Sequence, residues 1–178
     1  MGTRTTTIAS MLILWAMILS IGPGAAQSVG PAHVIPNSLR IEHEEAIEQL
    51  NALAKHRGAV GEEARKLIVL FKRHHARERE YILPPLTLLP ALARGEVTPD
   101  MRWALEMAER VKADSEEIYR EHTEITDACN ALRAAAVRNH DHVAKEFAEQ
   151  AVADSLNDME LLEPTVLVIG EVLRSKLP

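Results

Sequence analysis

Apolar residues recur at steps of three and four along four long segments of this chain. That is the spacing of helices that each bury one face. The first stripe runs Leu39, His43, Ala46, Ile47, Leu50, Leu53, and the second Ala64, Leu67, Ile68, Phe71, His74, Glu78, Ile82. The third includes Leu105, Ala108, Val111, Ile118, His122, Ile125, Cys129, Leu132, and the fourth Phe147, Ala151, Asp154, Asp158, Leu161, Leu162, Thr165. No segment alternates with a period of two, so no strand is expected. Asn37 or Ser38 can cap the first helix, which the pattern carries to about Arg57, ahead of Gly58. The second runs from about Glu62 to Leu83 and ends at Pro84-Pro85. Thr98-Pro99-Asp100 opens the third, with a capping hydroxyl, a first-turn proline and an acid, and it runs to about Arg138. Asn139 can cap the fourth, which reaches about Lys176 and is expected to kink or briefly break at Pro164. Residues 84–97, "PPLTLLPALARGEV", read as an ordered cover over one end, with one short helical turn. Four long helices with short or compact connections predict an all-α domain over residues 37–178, an antiparallel up-down four-helix bundle.

The first 26 residues break this pattern. Arg4 precedes a short apolar run, "IASMLILWAMILSIG", and small residues follow in "GPGAAQ". This predicts a secretory signal peptide over residues 1–26, cut after Ala26. The apolar run falls short of the ~20 residues that span a bilayer, so an uncleaved anchor is the weaker reading. Export would place the mature protein in the periplasm or outside the cell, in an oxidising setting. Residues 27–36, within "SVGPAHVIPN", read as a linker. The formal charge of −6 argues against a nucleic-acid partner. The single cysteine, Cys129, excludes an intramolecular disulfide and a cysteine-based metal site, and it reads as a small buried hydrophobe.

Every inward stripe also carries ionisable residues: His43, His74, Glu78, His122, Asp154 and Asp158. A buried unpaired charge costs several kcal/mol. Three carboxylates without a cation would have to take up protons or reach water, whereas one or two metal ions would satisfy all six residues. His74 with Glu78, and Asp154 with Asp158, are i,i+4 pairs, each on one helical face. Facing helices that supply His and carboxylate ligands are how bundle cores hold di-iron and di-manganese sites. The competing reading of Asp154 and Asp158 is a decayed site with a wet fourth helix. His75 lies at the edge of its stripe and reads as a supporting or surface residue. His140 and His142 read as solvated, and Tyr119 as a packing residue whose hydroxyl could reach the site.

The chain also repeats itself weakly. "EHEEAI" at 42–47 resembles "EHTEIT" at 121–126. His74, Glu78 and Pro84 stand at the same offsets as Asp154, Asp158 and Pro164. This predicts two related helical hairpins, with Asp154 standing where the first half has His.

The stretches "SLRIEHEEAI", "HHAREREYILPPL", "REHTEI" and "FAEQAVADSLNDMELLEPTVLVIGE" resemble the hemerythrin-like (HHE cation-binding) family, over most of residues 37–175. The resemblance implies a four-helix bundle holding non-haem iron, as a di-iron pair, with manganese or another divalent metal as the alternative. It implies a small ligand such as dioxygen, or a role in handling metal. His43 would be the first-helix ligand, His74 and Glu78 the second-helix pair with Glu78 bridging, and His122 the third-helix ligand. On the fourth helix the family usually shows His and then Glu four residues on, where this chain has Asp154 and Asp158. Arg79 interrupts the consecutive acids often found around Glu78, and the third helix lacks the second His of true hemerythrins. Three His and three carboxylates would make a harder, more anionic site, shifted toward Mn, Mg or Ca and away from reversible oxygen carriage. The alternatives are a carboxylate-rich di-metal oxidase or peroxidase-like enzyme, and a bundle that has lost its metal and acts structurally. No organic substrate or protein partner is implied.

Overall fold

The structure, a computed structural model, describes residues 33–178. The expected signal peptide over 1–26, and the expected linker up to residue 32, lie outside the described residues. The described residues form helices joined by short turns, with no strand among them. Helix α1 spans Asn37–Leu53 and α2 spans Ala59–Arg77. Gly58, at φ +73°, turns the chain between them in the left-handed region that suits glycine. The first helix therefore stops a turn before Arg57, and the second starts at Ala59 rather than Glu62. Gly61 lets the turn close: a Cβ there would lie 1.8 Å from the His56 carbonyl oxygen.

Beyond Arg77 the helix widens into a π turn, Glu78–Ile82, closed by the Leu83 N–H donating to the Glu78 carbonyl at 2.8 Å. The proline-rich cover follows as a 3₁₀ segment, Pro84–Leu88, and a short helix α3, Leu89–Ala93. A 3₁₀ turn, Pro99–Met101, opens α4, Arg102–Ala113, and a break at Asp114 separates it from α5, Ser115–Arg138. The fourth rod is α6, His142–Asn157, then a second π turn, Asp158–Leu162, then α7, Glu163–Lys176. Asp141, not Asn139, caps α6, its Oδ1 accepting from the Ala144 N–H at 3.0 Å. Asn139 instead donates to the Ala135 carbonyl, closing α5. Pro164 does not break the rod. It sits in the first turn of α7, where a missing N–H costs little. The repeat seen in the sequence thus has a structural counterpart: both halves form a π turn beginning at the acid six residues before their proline.

Helix α1 packs on α2, α2 on α5, α5 on α6, and α4 on α7. Two apolar blocks form the core. One gathers Leu50, Leu67, Phe71, Ile125, Leu132 and Phe147. The other gathers Tyr81, Ile82, Ile118, Val166, Ile169 and Leu173. Along each rod the candidate polar residues fall between the two blocks: 74–78 between Phe71 and Tyr81, 122 between Ile118 and Ile125, 154–158 between Ala151 and Val166. The second π turn also shifts the fourth stripe. Leu161, expected inward, is 59 % exposed, and Val166 rather than Thr165 is fully buried. Tyr119, expected to pack, is 66 % exposed, while Cys129 is fully buried as expected. Gly170 lets α7 approach α4, since a Cβ there would lie 2.6 Å from the Ala108 Cβ. A Gly170→Val variant is therefore expected to lose about 1–3 kcal/mol through overpacking. Thermal melting checks this: at roughly 2–4 °C per kcal/mol, an unchanged midpoint would show that the contact is slack.

Candidate metal centre

The polar layer is assembled from four helical rods. His43 comes from α1, His74 and His75 from the end of α2, and Glu78 from the π turn that follows. His122 comes from α5, and Asp158 from the second π turn. His43, His74, His75, Glu78 and His122 are all buried, and Asp158 is partly so. Their potential ligand atoms form two groups, each within 4.8 Å: His43, His75 and Glu78 in one, His74, His122 and Asp158 in the other. Glu78 spans the two. Its Oε2 faces His43 Nε2 at 3.5 Å, and its Oε1 faces His74 Nε2 at 3.4 Å. The imidazoles are ordered by their neighbours. His43 stacks on His75 with centroids 3.9 Å apart, and His74 meets His122 edge-on at 4.5 Å. His122 Nδ1 lies 2.9 Å from Ser155 Oγ, and its Nε2 lies 2.8 Å from Glu163 Oε1.

Five of the six residues named from the sequence meet in this layer. Asp154 joins neither group. It is half-buried, accepts from Gln150 Nε2 at 2.7 Å, and lies in the wall of the adjoining cavity. His75, read as supporting or surface, is only 5 % exposed and belongs to the first group. The reason is geometric. Helix α2 packs against both α1 and α5, so its buried arc is wide enough for two consecutive residues. His75 faces His43 on α1, and His74 faces His122 on α5. A single three-and-four stripe selects only one of them. The donor set becomes four imidazoles and two carboxylates.

Two further carboxylates escaped the sequence reading. Glu121 is 1 % exposed and receives Arg73 Nε at 2.9 Å and Arg77 Nη2 at 3.1 Å. Its Oε2 faces His74 Nδ1 at 3.6 Å. The signal available was the i,i+4 pair of arginines beside the His74 stripe, which calls for a buried acid on the facing helix. Glu163 gave no such signal, because the π turn that aims it was not legible.

The layer is electrostatically unfinished. Nδ1 of His43, His74 and His75, Nε2 of His74, and Oε2 of Glu78 and Glu121 are all buried without a hydrogen-bond partner. Such an atom costs about 1–3 kcal/mol. Burial drives His75 down to about 3, helped by His43, and burial likewise lowers His43. For His74 burial opposes the charge, but Glu78, and then Glu121, outweigh it and push the group up to about 10. Burial alone would raise Glu78. The charge of His74, then that of His43, holds it well below the usual carboxylate range instead. Asp158 is raised to about 8, first by burial and then by the charge of Glu78. Without a cation the layer is thus one ion pair, two neutral imidazoles and a carboxyl that resists ionising.

A cavity of about 40 Å³ adjoins these residues, lined by His43, His74, His75, His122, Asp154 and Asp158 among others. That volume holds about three or four water-sized molecules, at about 10–15 Å³ each. Glu42, Phe71 and Asp154 also line an outer groove of about 490 Å³ between α1 and α6. Comparison with family models, with curated proteins and with solved structures gave no match to this chain. The reading of the site rests on its own chemistry.

Proposed function

We propose that this layer is a two-ion metal centre within a hemerythrin-like four-helix bundle. It takes non-haem iron or another divalent first-row metal, and its function is to bind a small ligand such as dioxygen or to handle the metal itself. The observation that carries the proposal is the set of buried, partnerless imidazole and carboxylate atoms from α1, α2, the π turn after it and α5. Protein groups leave them unsatisfied, and two cations would satisfy one nitrogen of each imidazole and the free oxygen of Glu78. His43, His75 and one oxygen of Glu78 would hold one ion. His74, His122, Asp158 and the other oxygen of Glu78 would hold the second. With His75 in place of Asp154, the donor set is imidazole-rich and suits iron, zinc or copper better than calcium or magnesium. Iron held there would supply one-electron redox chemistry and an open position for a small ligand.

The protein's own residues supply the rest. Glu121, itself held by two arginines, faces the far nitrogen of His74 at 3.6 Å and would orient the ring, as partners of metal-bound histidines do, once that gap closes on loading. Ser155 does the same at Nδ1 of His122. The two apolar blocks exclude water from both ends, and the small cavity admits a diatomic or triatomic ligand. An oxidase or peroxidase-like enzyme would use the same residues, and turnover with dioxygen or peroxide separates it from a binding protein.

The deciding measurement is elemental analysis with visible absorption on the purified full chain, repeated after anaerobic reconstitution with ferrous iron. About two ions per chain and ligand-to-metal bands are expected. No metal in either preparation would overturn the proposal and leave a helical fold whose polar layer has only a structural role.

A further inference from the structure

The metal-centre reading leaves a gap that the chain's internal symmetry exposes, and the inference below rests on that reading. In the first half, His74 and Glu78 both belong to the ligand groups. In the second half Asp158 does, but Asp154, at the place of His74, turns to Gln150. The second half would therefore give one ligand where the first gives two from the same positions. Five residues after each bridging-position acid stand Leu83 and Glu163. Leu83 is fully buried in the apolar block below the layer. Glu163 instead places its Oε1 2.8 Å from His122 Nε2, with its side chain only 16 % exposed. The three other carboxylate–imidazole contacts in the layer are longer, at 3.4–3.6 Å.

The π turn explains the placement. In an α-helix residues i and i+5 point about 140° apart, at 3.6 residues per turn. In a π turn the N–H of residue i+5 bonds to the carbonyl of residue i, which brings i+5 back above i. The Glu163 N–H makes that bond to the Asp158 carbonyl. Asp158 and Glu163 therefore share a face, and α geometry would have carried Glu163 away from the layer. His122 has Nδ1 engaged by Ser155, which leaves Nε2, the nitrogen beside Glu163, as the coordinating atom. Two ligands adjacent on one octahedral ion, with bonds of about 2.0–2.1 Å, lie about 2.9 Å apart. The Glu163–His122 separation fits that spacing, whereas Glu163 stands outside the 4.8 Å cluster of His74, His122 and Asp158 and would have to turn toward it on loading.

We infer that Glu163 is a metal ligand of the second group, replacing the donor that Asp154 does not provide. In the metal-free protein its carboxylate lies against His122 Nε2. With an ion bound, the one proton of the neutral imidazole would sit on Nδ1 and be donated to Ser155 Oγ, leaving Nε2 and the Glu163 oxygen free for the ion.

Cobalt(II) tests this in the full chain, read by stoichiometry and by the visible d–d bands. Wild-type protein and Asp154→Asn are expected to take two ions with the same spectrum. Glu163→Gln should weaken the second ion at least ten-fold and alter its bands, while its metal-free melting point stays at the wild-type value. Glu163→Leu, which restores the residue of the first half, should take one ion. If that variant does not fold, the near-isosteric Gln variant decides. Wild-type affinity and spectrum in Glu163→Gln would overturn the inference, whether or not that variant melts lower. So would loss of the second ion in Asp154→Asn alone. A wild-type chain that binds no cobalt would overturn the metal-centre reading itself, and this inference with it.

Discussion

Replacing Glu78 by Ala is expected to abolish binding of both ions, where loss of any other single residue of the two ligand groups removes one. Among the described residues, Glu78 alone has two oxygens that face histidines of different groups, His43 on one side and His74 on the other. Loss of an outer partner of a metal-bound histidine already costs 10–100-fold in affinity. Removing a shared direct ligand should therefore exceed about 100-fold for each ion. The variant also strips His74 of the carboxylate that keeps it charged, so its metal-free form should lose stability as well. A titration with ferrous iron or cobalt(II), with metal-free melting alongside, reads both effects. Retention of one ion at wild-type affinity in Glu78→Ala would show that Glu78 serves a single group and that the two groups are independent.

The second large effect is a reversed pH dependence. His74 has a folded pKa of about 10, above the ordinary histidine value of 6.5. Its contribution to stability is complete below about 6.5 and is lost as pH rises toward 10. Asp158, raised to about 8, likewise binds its proton more tightly folded than unfolded, so stability falls as pH climbs from about 4 to 8. His75 runs the other way. Lowered to about 3, it costs stability as pH drops from 6.5 toward 3, because the unfolded chain takes up the proton first. Glu78, held low, adds to that loss below its ordinary value of about 4.5. These slopes oppose one another between about 4 and 6.5, and only the falling ones act above 6.5. The metal-free protein should therefore be most stable on the acid side of neutrality. It should melt at least about 5 °C lower at pH 8.5 than at pH 6, at roughly 2–4 °C per kcal/mol. The stabilisation added by metal should grow over the same interval, since ligation needs the deprotonated groups. Melts from pH 5 to 9, with chelator and with saturating metal, test both slopes. A metal-free midpoint that is level or rises above pH 6 would show that Asp158 and His74 do not hold their protons in the fold.

Much of this was legible in the residues. The three-and-four spacing gave the helical class and the positions of the long rods, because one buried face per helix leaves that mark. The offsets shared by His74, Glu78, Pro84 and Asp154, Asp158, Pro164 anticipated that the halves would match, and both carry the same π turn. Other features escaped for physical reasons. A helix with two packed neighbours buries more than one stripe, so His75 looked peripheral while lying 3.9 Å from His43. A π turn inserts one residue without changing composition, so the inward phase after Asp158 was misplaced, with Leu161 expected in and Glu163 not considered. Caps and stops are local choices among several competent residues, so Asp141 took the role available to Asn139, and Gly58 moved two helix ends.

The separation of the core into two apolar blocks has a consequence for how this molecule can change over time. Each block closes on itself, and the polar layer lies between them like an exchangeable cartridge. The apolar packing of each block is made without the side chains of the layer. An aspartate where the twin half keeps a histidine, and a glutamate where it keeps a leucine, are edits to that layer. A change in the layer then costs stability through its own charges and unpaired polar atoms, and not through loss of the apolar packing on either side.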